Sequence, residues 1–151
     1  MNNLNMLLAG FGGQGVLFAG KVIAYGGLMD EKEISWLPSY GPEMRGGTAN
    51  CSVCISDEPI GSPLVLNPNV FIAMNLPSFD KFINDVEPGG LVIIDSALIH
   101  KKVEREDVKA FYVPATTLEM CIRDSSTPIW KRAFTAPCCG SPSAIRRCLW
   151  R

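Results

Sequence analysis

Apolar positions along the chain fall into short continuous runs divided by glycine- and proline-rich turns. Leu4 to Ala9 is almost wholly apolar, which suits a strand buried on both faces at the centre of a parallel sheet. Gln14 to Gly27 places Val16, Leu17, Gly20, Ile23, Ala24 and Gly27 on one face at helical spacing and predicts a helix closed by Gly26-Gly27. Glu33 to Leu37 reads as a second strand. Asn50 to Ser56 reads as a third, with Cys51, Val53 and Ile55 on one face and Ser52, Cys54 and Ser56 on the other. Asp57-Glu58-Pro59 is a turn, and Ile60 opens a short return segment, which together predict a hairpin-like insertion. Val70 to Met74 and Leu91 to Asp95 are further buried strands. Between them Pro77 to Val86 forms a helix with Phe79, Phe82, Ile83 and Val86 on its apolar face. Lys109 to Val113 is the last strand. Strands alternating with helices, most of the strands apolar throughout, predict a Rossmann-like α/β fold: a mostly parallel sheet with helices on both faces.

Composition divides the chain in two. The whole has 151 residues and a net charge of −1. Up to Leu118 there are 8 Lys/Arg against 13 Asp/Glu; from Glu119 there are 6 against 2, with four of the six Cys and two of the three Trp. Periodicity fades in the same place. Residues 1–118 are therefore expected to form the domain, incomplete at its C-terminal end, and residues 119–151 a disordered or non-native tail. From Met120-Cys121-Ile122-Arg123-Asp124-Ser125 onward the wording resembles a translated adapter or frame-shift product. No apolar run approaches the roughly 18 residues of a membrane span, and the N-terminus carries no signal-peptide pattern. The expectation is a cytoplasmic protein that binds neither membrane nor nucleic acid.

Two stretches carry candidate chemistry. Gly10, Gly12 and Gly15 fit G-x-G-x-x-G between a strand and a helix, with Gly13 and Gln14 inside the motif. Such a turn brings backbone N–H groups and the positive end of a helix dipole against an anion, a phosphate or a carboxylate. It serves equally as a tight turn with no ligand. A dinucleotide site also needs an acidic side chain at the end of the second strand. Here that strand ends Ser35-Trp36-Leu37, and Asp30 and Glu31 precede it, which counts against NAD.

The second stretch runs from Pro38 to Asn50, where two Pro and three Gly exclude regular structure through most of it. Within it Arg45 sits between Glu43 and Gly46-Gly47, with the hydroxyls of Tyr40 and Thr48 nearby. A guanidinium in that setting grips a phosphate or carboxylate through paired hydrogen bonds, or else pairs with Glu43 or a partner subunit. Cys51 and Cys54 form a C-x-x-C, but on a strand they point to opposite faces, so they read as small buried hydrophobes and no metal site is expected. The lone His100 lies in a charged, solvated segment. Asp95, at the end of the strongest strand, either contacts ligand or caps the segment beginning at Ser96. No complete catalytic set is present, so the catalytic residues stay unassigned.

In order along the chain, Gly10-Phe11-Gly12-Gly13-Gln14-Gly15-Val16, Pro38-Ser39-Tyr40-Gly41-Pro42-Glu43-Met44-Arg45-Gly46-Gly47-Thr48, Ser56-Asp57-Glu58-Pro59-Ile60 and Pro88-Gly89-Gly90 before Asp95 resemble the gamma subunit of 2-oxoacid:ferredoxin oxidoreductases. The resemblance covers about residue 4 to Leu118. It is most similar to the 2-oxoglutarate and branched-chain 2-oxoacid members. It implies one subunit of an enzyme that decarboxylates a 2-oxoacid, 2-oxoglutarate favoured, with coenzyme A, giving acyl-CoA, carbon dioxide and reduced ferredoxin. It also implies alpha, beta and ferredoxin-like partner subunits that hold thiamine diphosphate and iron–sulfur clusters. This chain would hold no cofactor alone and would touch coenzyme A through its glycine and Arg45 loops. The family continues past the last strand where this chain does not. Two other readings stand beside it: a free-standing nucleotide- or cofactor-binding module, and an interaction subunit that touches no ligand.

Overall fold

A computed structural model of the chain describes residues 3–39 and 48–118. The chain divides into two units, Met1–Pro114 and Ala115–Arg151. Of the second, only residues 115–118 are described, and they are helical. The tail expected at 119–151 lies outside the described residues. Six strands form one sheet: β1 (Leu4–Gly10), β2 (Glu33–Ser39), β3 (Ala49–Ser56), β4 (Val70–Ala73), β5 (Leu91–Asp95) and β6 (Lys109–Val113). Their spatial order is β2-β3-β1-β4-β5-β6. β1, β4, β5 and β6 run parallel, and β3 runs antiparallel to both its neighbours.

The hairpin-like insertion exists, but in another place. β3 returns beside β2 and wedges between β2 and β1, pairing Ser39 with Asn50 and Gly10 with Ala49. The return segment expected from Ile60 forms no strand; residues 57–69 connect β3 to β4 as bends and irregular chain. β3 is thus a central strand. After half-buried Asn50 its polar face carries the small side chains Ser52, Cys54 and Ser56, and all three are buried. Ser56 is satisfied there, donating to Asn3 Oδ1 at 2.9 Å and accepting from Glu58 N–H at 3.0 Å. β2 runs two residues beyond the expected Leu37, through Pro38, which is tolerated because β2 is an edge strand.

Helices cover both faces. α1 (Val16–Met29) lies over β1, β2 and β3, and its buried residues Val16, Gly20, Ala24 and Gly27 meet Met6, Leu8, Cys51 and Val53. α2 (Leu76–Phe82), continued by a 3-10 turn at Ile83–Asp85, covers the other face over Leu7, Ala9, Phe71, Ala73, Val92 and Ile94. The rings of Phe71 and Phe82 meet edge-on at 6.2 Å. Alternate residues of β1 thus feed two separate cores, as a centrally placed strand must. α1 does not stop at Gly26-Gly27. Gly27 is a packing residue against Ile55 and Ile34, and the helix ends two residues later with Glu31 in a left-handed conformation. Among the described residues no helix is long and apolar enough to cross a membrane.

The seat of α1 on β3 is very close. A Cβ on Gly20 would lie 2.4 Å from Cys51 Sγ and 3.2 Å from Trp36 Nε1. Burial pushes the Cys51 thiol up to about 11, so it packs as a neutral hydrophobe. On the opposite face, Arg105 ties the approach to β6 to the end of α2. Its Nη1 donates to the carbonyls of Ile83 at 2.8 Å and Val86 at 3.0 Å, while its remaining nitrogens pair with Asp107.

Two outcomes follow from this packing. Gly20→Ala overpacks the helix–sheet contact and lowers stability by about 1–3 kcal/mol, and Cys51→Ala in the same chain restores part of it. Urea unfolding checks both, and a Gly20→Ala chain as stable as its parent would show that the helix lifts without cost. The second outcome concerns Asp107, whose carboxylate the hydrogen bond from Arg105 holds below its ordinary value of 3.8. A carboxylate lowered in the folded state adds stability above its unfolded value, and that stability is lost as pH falls through the folded value. The stability gap between the parent and Asp107→Asn is therefore present near neutral pH and closes in acid; a gap that persists in strong acid would assign it to something other than this carboxylate.

Candidate functional site

β1 delivers the chain into the glycine turn at the C-terminal edge of the parallel strands. Gly10 is glycine for lack of room: a Cβ there would lie 2.7 Å from Gln14 Oε1 and Val16 Cγ2 and 2.8 Å from Met74 Cβ. Gly13 and Gly15 are glycine for backbone shape, with φ of 94° and 77° and open space where a Cβ would be. Gly15 is the N-cap of α1 and has no side chain to offer, so no side chain caps the first turn of that helix. Phe11, Gly12, Gly13, Gly15, Val16, Leu17, Phe18 and Ala49 line a cleft of about 320 Å³ over that turn. Every lining side chain is apolar or absent. Any attraction for an anion here comes from main-chain N–H groups and the helix dipole.

Gln14 is used differently from the other motif residues. Its Oε1 accepts from Phe11 N–H at 2.6 Å, and its Nε2 donates to the Met74 carbonyl at 3.0 Å. Both ends of the amide are held inside the protein, one closing the turn and the other fastening it to the end of β4. The Phe11 N–H is thereby occupied. The sequence showed Gln14 as part of the motif but gave no sign of this role, because Met74 lies 60 residues away along the chain.

The second expected stretch is rooted at the same edge. Ser39 ends β2 and Ala49 opens β3; Asn50 pairs with both Ser39 and Ala9, and Ala49 pairs with Gly10 and lines the cleft. Tyr40, Arg45, Gly46 and Gly47 lie outside the described residues. Thr48 is described and is buried. Asp30 and Glu31 are at the far end of α1. Asp30 lines a hollow at the opposite sheet edge with Lys32 and Asp57, themselves ion-paired, and reaches nothing near the glycine turn.

The remaining candidates separate cleanly. Asp95 is buried and caps the segment that follows it: its Oδ1 accepts from Ala97 N–H at 3.0 Å and its carbonyl from Ile99 N–H at 2.9 Å. Cys51 faces α1, while Cys54 lies toward the Ser62 carbonyl at 4.0 Å. His100 is exposed. One polar cluster escaped the sequence reading. Asn75 caps α2 by accepting from Ser78 N–H at 2.9 Å, yet Asn75 Nδ2 and Ser78 Oγ are buried with no hydrogen-bond partner. Asn ahead of Leu-Pro-Ser is an N-cap signal that could have shown the capping half of this arrangement.

Known proteins match this chain across the body of the fold. The ketoisovalerate oxidoreductase subunit VorA of Methanothermobacter marburgensis is 47% identical over 108 residues, which is 72% of this chain and 22% of VorA. The 2-oxoglutarate synthase subunit KorC of Methanocaldococcus jannaschii is 39% identical over 113 residues, 74% of this chain and 60% of KorC. This chain thus spans less than two thirds of either relative. The crystal structure of a keto/oxoacid ferredoxin oxidoreductase gamma subunit from Geobacter sulfurreducens superposes with a TM-score of 0.65 at 28% identity, covering 79% of this chain and 66% of that one. The profile of the pyruvate ferredoxin/flavodoxin oxidoreductase family matches residues 5–127. With its glycine turn and the roots of its second loop set on one edge of a mostly parallel sheet, the chain belongs to the pyruvate ferredoxin/flavodoxin oxidoreductase family.

Proposed function

We propose that this chain is the gamma component of a cytoplasmic, multi-subunit 2-oxoacid:ferredoxin oxidoreductase, and that its glycine turn and Arg45 loop together hold coenzyme A. The observation that carries this reading is the convergence of the two stretches. β2 ends at Ser39 on the edge that holds the glycine turn and β3 begins at Ala49 beside Gly10, so both roots of the segment carrying Tyr40, Arg45, Gly46, Gly47 and Thr48 are on that edge. The acid proposed is 2-oxoglutarate, supported by the KorC relatives, of which this chain spans the larger share. 2-Oxoisovalerate is the second reading, favoured by the higher identity to VorA.

In the reaction, the 2-oxoacid loses its carboxylate as carbon dioxide, the acyl group passes to the coenzyme A sulfur as the thiol gives up its proton to solvent, and the two electrons released go to ferredoxin. Thiamine diphosphate and iron–sulfur clusters, held by the alpha, beta and ferredoxin-like subunits, supply the carbanion and electron-transfer chemistry. This chain's own part is binding and orientation. Main-chain N–H groups at Gly12, Gly13 and the start of α1 meet a phosphate without bringing a fixed positive side chain. Arg45 adds a paired, charge-assisted contact from the facing loop. Phe11 and Phe18 give the cleft apolar walls beside those main-chain groups. Gln14 orients the turn rather than meeting the ligand.

In the assembled enzyme, Arg45→Met raises KM for coenzyme A about 10- to 100-fold, the loss expected for one charge-assisted hydrogen-bonded contact, with kcat little changed. An unchanged KM in Arg45→Met and in a Gly12 variant would remove the coenzyme A reading. For Gln14, exchange of the Phe11 amide with solvent separates the roles. Gln14→Met frees that N–H, speeds its exchange and raises KM; Gln14→Glu keeps the acceptor and the slow exchange, but raises KM through its negative charge. A Gln14→Met chain with the parent's exchange rate would contradict the assigned hydrogen bond.

A further inference from the structure

A buried polar corner at the end of β4 is tied to the glycine turn through one main-chain carbonyl. In the β1–β4 ladder Ala9 is paired with Ala73, and Met74 N–H donates to the Ala9 carbonyl at 2.8 Å. The next bond of a regular parallel ladder would run from Phe11 N–H to the Met74 carbonyl. The Gln14 amide stands between these two groups instead, accepting from Phe11 N–H at 2.6 Å and donating to the Met74 carbonyl at 3.0 Å. The side chain thus extends the ladder by one amide, and the turn takes its position from the main chain of β4. This splice lies where the chain parts. β1 leads through α1 to β2 on one side of the sheet, and β4 leads through α2 to β5 on the other. Such a parting is where an α/β sheet opens a crevice at its carboxyl edge.

The carbonyl that Gln14 holds belongs to the Met74–Asn75 peptide. On its N-terminal side that peptide is anchored by the Met74 bond to Ala9. On its C-terminal side it is anchored by Asn75, which is extended, with φ of −152° and ψ of 158°, and fully buried. Asn75 Oδ1 accepts from Ser78 N–H at 2.9 Å, and the Asn75 carbonyl accepts from Phe79 N–H at 3.1 Å. The peptide plane tilts only if Asn75 turns about its φ, and both bonds from α2 resist that turn. A cap needs only an acceptor, which Asp also supplies; in this buried corner a carboxylate would carry an uncompensated charge, and the amide gives the oxygen without it. Asn75 Nδ2 and Ser78 Oγ have no hydrogen-bond partner among the described residues, so neither contributes to the cap. We infer that Asn75 is a positioning residue for the glycine turn. Its cap on α2 sets the plane of the Met74–Asn75 peptide, whose carbonyl holds Gln14, which holds Phe11 N–H and with it the main-chain donors of the turn. The effect of this relay on coenzyme A rests on the coenzyme A reading of the cleft; the relay itself does not.

Two readouts test it: hydrogen exchange of the Phe11 and Ser78 amides in the full chain, and KM for coenzyme A in the assembled enzyme. Asn75→Ala removes the acceptor; it is expected to speed Phe11 exchange about 10-fold and to raise KM about 3- to 10-fold with kcat unchanged. Asn75→Ser, close to Ala in size, returns an acceptor and recovers most of both effects. Ser78→Ala keeps the capped N–H, loses only the unpartnered hydroxyl and moves neither readout. In a Gln14→Met background Asn75→Ala adds nothing further, because the relay is already cut. Coupling is reciprocal, so Gln14→Met alone speeds exchange of the Ser78 amide; this arm leaves the buried corner intact and decides the matter if Asn75→Ala does not fold. Parent-like Phe11 exchange in Asn75→Ala overturns the inference, as does an unmoved Ser78 amide in Gln14→Met. Equal effects from Ser78→Ala also overturn it, by making the corner a general support. So do additive effects of Asn75→Ala and Gln14→Met, which make the two residues independent. Coupled exchange with KM unmoved in every variant, Arg45→Met included, upholds the relay and removes the coenzyme A reading.

Discussion

The close seat of α1 on β3 is the constraint from which the rest of the molecule follows. With the space for a Gly20 Cβ already taken by Cys51 and Trp36, the helix axis lies nearer the sheet than larger residues would allow. That position fixes the start of the helix directly after β1, so the turn between them has to be tight. Gly10 yields the room and Gly13 and Gly15 yield the backbone shape. The same seat reserves the inner face for small residues. Phe18, Val22, Tyr25, Leu28 and Met29 are thereby left on the exposed side of the helix.

Function is then a matter of which edges meet. β2 runs parallel to β1, so its C-terminal end lies on the same edge as the glycine turn, and the antiparallel β3 between them begins at that edge with Ala49 beside Gly10. Gln14 secures the arrangement from the other side, fastening the turn to Met74 at the end of β4. The cleft over the glycine turn is walled by apolar side chains and main chain, with no charged side chain among its lining residues.

The opposite face has its own economy of polar groups. Asp95 and Asn75, at the ends of neighbouring strands, each turn a buried side chain back onto the next segment's N–H groups. Arg105 does the corresponding work for the carbonyls at the end of α2. These contacts hold the β4–β5–β6 half rigid, so the glycine turn is fastened to a fixed support.

Local signals in the sequence determined the strands and helices, because apolar runs, helical spacing and turn residues act within a few positions of one another. Leu91–Asp95 and Lys109–Val113 occur where their patterns place them, and the glycine motif falls between a strand and a helix as its spacing requires. The family resemblance, too, was written in short motifs. What the sequence could not determine was set by contacts far apart along the chain. β3 pairs with β1 and β2 through main-chain ladders between segments distant along the chain, and no local pattern announces that choice. The bond from Gln14 to the Met74 carbonyl joins residues 60 apart and is invisible to local pattern, and the capping role of Asp95 emerges only with Ala97 and Ile99 turned back onto it. The inner face of α1 was legible, since helical spacing groups Val16, Leu17, Gly20, Ile23, Ala24 and Gly27 and the structure turns them to the sheet; how closely Gly20 approaches Cys51 was not, because the two are 31 residues apart.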